Sequence, residues 1–170
     1  MWAMPTGALT SRSGRSNGVS PVSSPSRLVK PTLQTKFHID FDFWERESRD
    51  LRVYLASHLC SEHKAAFADY SGGELVDYVD MDTAEVQRVD GLQHTLRTHC
   101  ALLPDFLTAH TSLVDAVFRV FIANGNRPLS PEELAEKIGR PGQAQTILRT
   151  LTGPRVYKGL RPVIGADRAA

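Results

Sequence analysis

The apolar residues of the C-terminal third recur at helical spacing in three successive stretches, 113–122, 130–138 and 143–151. The second stretch carries complete start signals, because Ser130 is an N-cap residue, a proline follows it, and Glu133 is the capping-box acid. The pattern therefore predicts three helices. Their expected inward positions are Leu113, Val114, Val117, Phe118, Phe121 and Ile122, then Leu134, Ala135 and Ile138, then Ile147, Leu148 and Leu151, with Asp115 and Arg119 toward water.

A short basic stretch, 155–163, follows the third helix and has a glycine near its centre. Val156, Lys158 and Leu160 alternate with other residues at the spacing of a strand. We predict that these three positions pair as a small β ribbon that bends at Gly159.

Nearer the N-terminus, the hydrophobic period changes from that of a strand to that of a helix. Apolar and polar residues alternate over 37–43, which predicts a half-buried strand. From Phe43 to Leu59 the apolar residues follow helical spacing, which predicts an amphipathic surface helix with Asp42 as a candidate N-cap.

A β-hairpin and a further helix are predicted between these regions. The valines of 75–79 and 86–89 flank an acidic segment, 80–85, in the manner of two short strands joined by a solvated turn. Residues 91–103 then carry leucines at helical spacing, and Pro104 ends that helix.

These elements predict an α+β fold with four segments. Residues 1–36 are rich in Ser, Pro, Gly and Thr and contain basic residues but no acid, which predicts a disordered basic arm. An acidic α+β body, 37–110, carries the β-hairpin, a helical domain spans 111–163, and a tail occupies 164–170. The connection between body and helical domain is short, so we expect the two to pack together.

The charge pattern sharpens this division, although the net charge of the 170 residues is only +1. The body holds fourteen of the nineteen acidic residues, against six lysines and arginines, whereas both flanking regions are basic. Such asymmetry suits an arm and a domain that meet phosphate groups. Two ordinary solvated faces are the simpler alternative.

Composition limits the cellular setting and the class of partner. No apolar run approaches the roughly 20 residues that a membrane span needs, and the N-terminus has no apolar signal core. Two cysteines do not make a disulfide framework and suit a reducing compartment. We therefore expect a cytoplasmic protein with no membrane partner.

Three helices followed by a basic ribbon with a central glycine resemble the winged helix-turn-helix superfamily, over 111–163 only. The resemblance implies that the third helix enters the major groove of DNA and that the ribbon contacts the backbone. It also leaves a protein partner open, because winged helices serve as interaction modules as well. The candidate nucleic-acid-binding residues that it implies are Gln143, Gln145, Thr146, Arg149 and Thr150 on the helix, and Arg155, Tyr157, Lys158 and Arg161 on the ribbon.

Cysteines and histidines form two clusters, at 58–63 and 94–100, whose residue types suit zinc. Cys60-x-x-His63 has a two-residue gap that places two ligands on one ion, and Cys100 offers a third. The fourth ligand would be His94, with His99 as the alternative. Because His94 and Cys100 are six residues apart, an ideal helix would point them about 120° from each other. Structural zinc therefore requires that helix to end near Thr98.

Two further interpretations compete with structural zinc at these clusters. Unligated core cysteines among scattered histidines are the simpler one, and a metal-dependent enzyme is the other. The sequence contains no phosphate-binding glycine loop, no nucleophile elbow and no His-Glu-x-x-His motif, which favours a non-enzymatic protein. We expect a regulatory protein that binds nucleic acid, with a protein-interaction or scaffold module as the alternative.

Overall fold

The structure is a computed structural model that describes residues 30–69, 75–79 and 84–163. Three predicted features therefore lie wholly or largely outside the described residues: the arm up to position 29, the tail at 164–170, and the turn of the hairpin. Within the described ranges, helices combine with short antiparallel sheets, and the predicted α+β class is confirmed.

Seven α-helices and four short strands make up the regular structure of the described residues. Every one of these helices is too short or too polar to traverse a bilayer. In chain order the elements are β1 (Phe37–Ile39), α1 (Asp42–Arg46), α2 (Leu51–Ser57), α3 (Ser61–Ala66), β2 (Leu75–Val79), β3 (Val86–Asp90), α4 (Gly91–Thr98), a 3₁₀ turn (Cys100–Leu102), α5 (Leu113–Ala123), α6 (Pro131–Lys137), a second 3₁₀ turn (Pro141–Gln143), α7 (Ala144–Leu151) and β4 (Leu160–Pro162).

The first and last strands pair with each other, although they lie near opposite ends of the described sequence. β1 and β4 are antiparallel, with Ile39 opposite Leu160, and both of these side chains are buried. A bridge between Phe37 and Leu129 extends this small sheet on the other side of β1. The predicted ribbon over 156–160 is therefore wrong, because the alternating apolar residues of β1 supply a buried partner that a local ribbon lacks.

The predicted hairpin is confirmed as β2 and β3. The two strands pair antiparallel over their full length, and Val79 lies opposite Val86. The pairing continues one residue beyond the prediction, to Asp90, whose carboxylate then accepts a hydrogen bond from the Gln93 backbone and caps α4.

The amphipathic helix predicted from Phe43 to Leu59 is two helices. α1 ends after five residues, and Ser48 in the connection adopts a left-handed conformation. Asp50 then caps α2 by accepting hydrogen bonds from the backbone of Arg52 and Val53. Asp42 is the first residue of α1 and not its cap, so that prediction is also wrong. Because Phe43 and Trp44 of α1 and Leu55 of α2 are all buried in one core, the hydrophobic spacing alone does not reveal the break.

The last three helices follow the predicted pattern closely. Ser112 caps α5, and Ser130 with Glu133 forms a complete capping box at the start of α6. The inward positions predicted for α6 and α7 are buried, as are Val117, Phe118, Phe121 and Ile122 of α5. Leu113 and Val114, in the first turn of α5, are only half-buried. The winged-helix resemblance now rests on these helices alone, since the ribbon is not formed, and it stays a prediction.

One hydrophobic core serves the body and the C-terminal helices together. Leu55 and Leu96 of the body lie in the same buried cluster as Phe118, Leu134 and Ile147. The expected packing of the two parts against each other is confirmed. The placement of a domain boundary at residue 111 stays a prediction.

The last residues of the predicted arm are attached to α6. Thr35 is buried, Lys36 forms an ion pair of 2.5 Å with Glu133, and Gln34 donates a hydrogen bond to Glu132. Residues 34–36, which the sequence assigns to the disordered arm, therefore contact the fold, and the disorder of the rest of the arm stays a prediction. These residues directly precede Phe37, which is buried at the start of β1.

Candidate metal centre

Two segments of the body place thiol and imidazole groups at one point. Cys60 occupies the N-cap position of α3 in an extended conformation, and its side chain makes no capping hydrogen bond. His63 lies within the first turn of that helix. α4 ends at Thr98, and His99 adopts a non-helical conformation that turns the chain into Cys100.

The potential ligand atoms of these four residues all lie within 4.8 Å of one another. Cys60 Sγ is 3.6 Å from Cys100 Sγ and 3.1 Å from His63 Nδ1. Cys100 Sγ lies 3.6 Å from the same nitrogen, and the rings of His63 and His99 are 4.5 Å apart between centroids.

The three separations among Cys60, Cys100 and His63 are close to the edges of a tetrahedron around zinc. With a Zn–S bond of about 2.3 Å and a Zn–N bond of about 2.0 Å, tetrahedral angles put two sulfur ligands about 3.8 Å apart. The same bond lengths put sulfur and nitrogen ligands about 3.5 Å apart. The Cys60–Cys100 distance and the two distances to His63 fall near these values. The four residues can therefore hold a metal ion after small side-chain adjustments.

The surroundings of Cys100 bear on its protonation. Its side chain is buried, and burial raises the pKa of the thiol. The backbone N–H of Cys60 donates to Cys100 Sγ at 3.4 Å and acts in the opposite direction. A divalent cation would replace the proton on this sulfur, because metal ligation requires the thiolate.

His94, which the sequence analysis favours as the fourth ligand, is not part of this cluster. Its ring lies 4.9 Å from the ring of Tyr78, on the hairpin. His99, the alternative, stands beside the other ligands because α4 ends one residue before it. Next to it, the Thr98 hydroxyl donates to the His94 carbonyl one turn earlier.

The residues of α7 that were candidates for nucleic-acid contact share one face. Gln145, Thr146 and Arg149 are exposed. The opposite face of the helix is buried and carries Ile147, Leu148 and Leu151. Thr150 is half-buried and its hydroxyl donates to the carbonyl of Thr146. The exposed members of the candidate set on or next to this helix are Gln143, Gln145, Thr146 and Arg149.

The ribbon candidates do not lie on a ribbon, and they differ in exposure. Arg155 is exposed, with its guanidinium over the ring of Tyr157. Arg161 is exposed on β4 and lies 3.6 Å from the carboxylate of Asp40. Lys158 is the exception, because its side chain is half-buried and its ammonium group is paired with the carboxylate of Asp115.

Lys158 belongs to a polar network that the sequence did not reveal. Its ammonium donates to the carboxylate of Asp115 and to the hydroxyl of Tyr54, and Tyr54 donates to the same carboxylate at 2.8 Å. Burial and the bond to Asp115 raise the pKa of Tyr54 well above its usual value. Burial opposes ionisation of Asp115, but the bonds from Lys158, Ser112 and Tyr54 outweigh it and hold the pKa of that carboxyl well below its usual range.

Asp115 and Arg119 were both expected to face water, and both are half-buried. Arg119 donates to the carbonyl of Phe106 and lies over the ring of that residue. Their partners come from distant positions in the chain. Helical spacing within α5 therefore carried no signal for these contacts.

Comparisons with protein-family models, with curated protein sequences and with solved structures found no match to this chain.

Proposed function

We propose that this protein binds one zinc ion through Cys60, His63, His99 and Cys100, and that the ion has a structural role. The observation that carries the proposal is the gathering of four ligand atoms within 4.8 Å, with the two sulfurs 3.6 Å apart. Thiolate and imidazole favour zinc over calcium or magnesium, which prefer oxygen ligands.

The number of ligands supports a structural role over a catalytic one. Four protein ligands complete a tetrahedral zinc site, whereas a catalytic zinc keeps a position open for water or substrate. A closed site supports a binding or scaffold protein in preference to an enzyme.

The position of the site explains what the ion would stabilise. No residue of α3 is fully buried, so hydrophobic burial holds this helix less firmly than it holds α5. Zinc would fasten the start of α3 to the end of α4 through Cys60 and Cys100. Because the unfolded chain lacks a formed site, binding would add directly to folding stability.

Zinc content and thermal stability test this proposal. The purified chain should contain one zinc ion per molecule by mass spectrometry of the metal. Zinc at about a hundredfold excess over its dissociation constant should stabilise the fold by about 2.7 kcal/mol, and Tm should rise by roughly 5 to 10 °C. Cobalt in place of zinc should give the tetrahedral d–d bands and the thiolate charge-transfer band.

The chain offers a matched pair of histidine variants for this test. His99→Ala should lose zinc and its stabilising effect, because it removes a ligand. His94→Ala should keep both, since His94 is close by but faces Tyr78. Equal zinc content in the two variants, or a chain that holds no zinc, would contradict the proposal.

A second candidate function is nucleic-acid binding through α7. The observation that favours it is the exposed polar face of Gln143, Gln145, Thr146 and Arg149, residue types that contact bases and phosphates. Binding to mixed-sequence duplex DNA should weaken steeply as salt rises, because contacts to phosphate release counterions. Arg149→Ala should weaken binding more than Arg52→Ala, which alters an exposed arginine on α2. If the two variants bind DNA with equal affinity, the exposed face of α7 is not the DNA-binding surface.

A further inference from the structure

We infer that Cys60 and Cys100 are a site of reversible oxidation, at which a disulfide forms and the metal is released. The release rests on the proposed zinc site, whereas disulfide formation depends only on the two cysteines. The inference thus adds a means of regulation to a site that would otherwise be purely structural.

The distance between the two sulfur atoms supports the formation of this bond. Cys60 Sγ and Cys100 Sγ are 3.6 Å apart, so they must approach by about 1.5 Å to reach disulfide length. Cys60 lies in the extended connection before α3, and no residue of that helix is fully buried. The side with Cys60 can therefore move toward Cys100 at little cost to the core.

A cavity gives small molecules access to the two thiols. It has a volume of about 180 Å³, and both Cys60 and Cys100 line it together with Lys64 and Arg119. Cys60 is half-buried and Cys100 is buried, so an oxidant that enters from solvent meets Cys60 first. Hydrogen peroxide is small enough for this space.

The reaction has two balanced steps with hydrogen peroxide as oxidant. The Cys60 thiolate attacks one peroxide oxygen, the O–O bond breaks, and the departing hydroxide takes up a proton to become water. The sulfur of the resulting sulfenic acid is then attacked by the Cys100 thiolate, which forms the S–S bond and expels a second hydroxide, protonated to water. Two thiols lose two electrons in total, and one peroxide is reduced to two water molecules.

Oxidation would remove half of the metal ligands. A disulfide sulfur carries no thiolate charge, so His63 and His99 alone would remain for zinc. Two neutral imidazoles bind the ion far more weakly than two thiolates and two imidazoles together, because the thiolates supply the negative charge of the site. Metal release should accompany bond formation, and a thiol reductant should restore both thiols and the site.

The experiment follows zinc and thiols together as the zinc-loaded full chain is titrated with hydrogen peroxide. A chromogenic chelator reports free zinc, and intact mass reports the loss of two hydrogen atoms. The chain has only two cysteines, so an intramolecular disulfide must join Cys60 to Cys100. The expected result is one zinc released per disulfide formed, with both changes reversed by dithiothreitol and rebinding of zinc.

Two variants separate this inference from the zinc proposal. His63→Ala should lose zinc but still form the disulfide, because it keeps both sulfurs. Cys100→Ser should lose the intramolecular disulfide and accumulate the sulfenic acid of Cys60, which dimedone traps. A wild-type chain that holds zinc but forms no disulfide, or forms only intermolecular ones, would overturn the inference. A chain without zinc that still forms the disulfide would overturn the zinc proposal alone.

Discussion

At the scale of single residues, His58 is in the most unusual environment among the described histidines. It is buried, and neither ring nitrogen has a hydrogen-bond partner within the described structure. Its ring packs edge-on against Tyr54, with a centroid distance of 4.7 Å, and lies 5.8 Å from the ring of Phe118. Burial, together with the positive charge of Arg119, lowers the pKa of His58 to about 4.

This pKa predicts a loss of stability in mild acid. The folded state keeps His58 neutral down to about pH 4, whereas an unfolded histidine takes up a proton near pH 6.5. Between these values the unfolded chain binds more protons, so the free energy of unfolding falls as the pH falls. His58→Phe removes this contribution, and the difference from wild type should reach roughly 2 to 3 kcal/mol at low pH.

Urea denaturation of both chains between pH 7 and pH 4 measures that difference. Both samples should contain a chelator, so that acid release of metal does not contribute. The two curves should diverge below about pH 6.5. Parallel curves would show that His58 is protonated as easily in the folded chain as in the unfolded one.

At the scale of elements, the connection into β4 has the strictest requirement for glycine. Gly159 has a φ of +76°, and a Cβ there would lie 2.5 Å from the backbone oxygen of Asp40. The close approach is needed because Asp40 N–H donates to the Gly159 carbonyl as the strands begin to pair. Trp44 adds to the crowding, since its indole nitrogen donates to the carbonyl of Lys158.

Gly159→Ala should therefore destabilise the fold through both strain and overlap, whereas Gly139→Ala is a control for strain alone. Gly139 has a φ of +70°, but nothing lies within 4 Å of its added Cβ. We expect a cost of about 1 to 2 kcal/mol at Gly139 and about 2 to 5 kcal/mol at Gly159, measured by urea denaturation. Equal costs at the two positions would mean that the strands separate easily to admit the methyl group.

Elements defined by local signals were predictable from the sequence, and those defined by distant partners were not. The capping box of α6 and the spacing of its apolar residues depend on neighbours within a few positions. The pairing of β4 with β1 depends on a partner at the other end of the described chain, and a local ribbon was the wrong expectation. Hydrophobic spacing does not reveal the break between α1 and α2, because the buried residues of both helices pack into the same core.

The candidate metal centre was predictable in part for the same reason. Cys60-x-x-His63 is a local pattern, and Cys100 was the remaining cysteine of the chain. The choice between His94 and His99 depended on where α4 ends, which spacing alone does not determine. The Lys158–Asp115–Tyr54 network joins three segments that are distant in sequence, so no local pattern predicts it.

At the scale of the whole molecule, aromatic side chains tie the body to the C-terminal helices. The ring of Phe118 in α5 lies 5.0 Å from that of Tyr54 and 6.1 Å from that of Trp44. β1 lies between Leu129 and β4 and forms backbone pairs with both. The C-terminal helices thus share one buried cluster with residues that precede position 111.

This shared core predicts that a fragment of residues 111–163 does not fold alone. The fragment lacks β1 and the aromatic residues Trp44 and Tyr54 of the body. It would therefore expose Phe118 and Leu160, which are almost completely buried in the whole chain. Each such side chain contributes about 1.5 to 3 kcal/mol when buried, comparable with a sizeable part of the stability of a small domain. The fragment should bind a hydrophobic dye and show no cooperative thermal transition, whereas 30–163 should unfold in one step. A sharp transition of the isolated fragment would instead establish 111 as a true domain boundary.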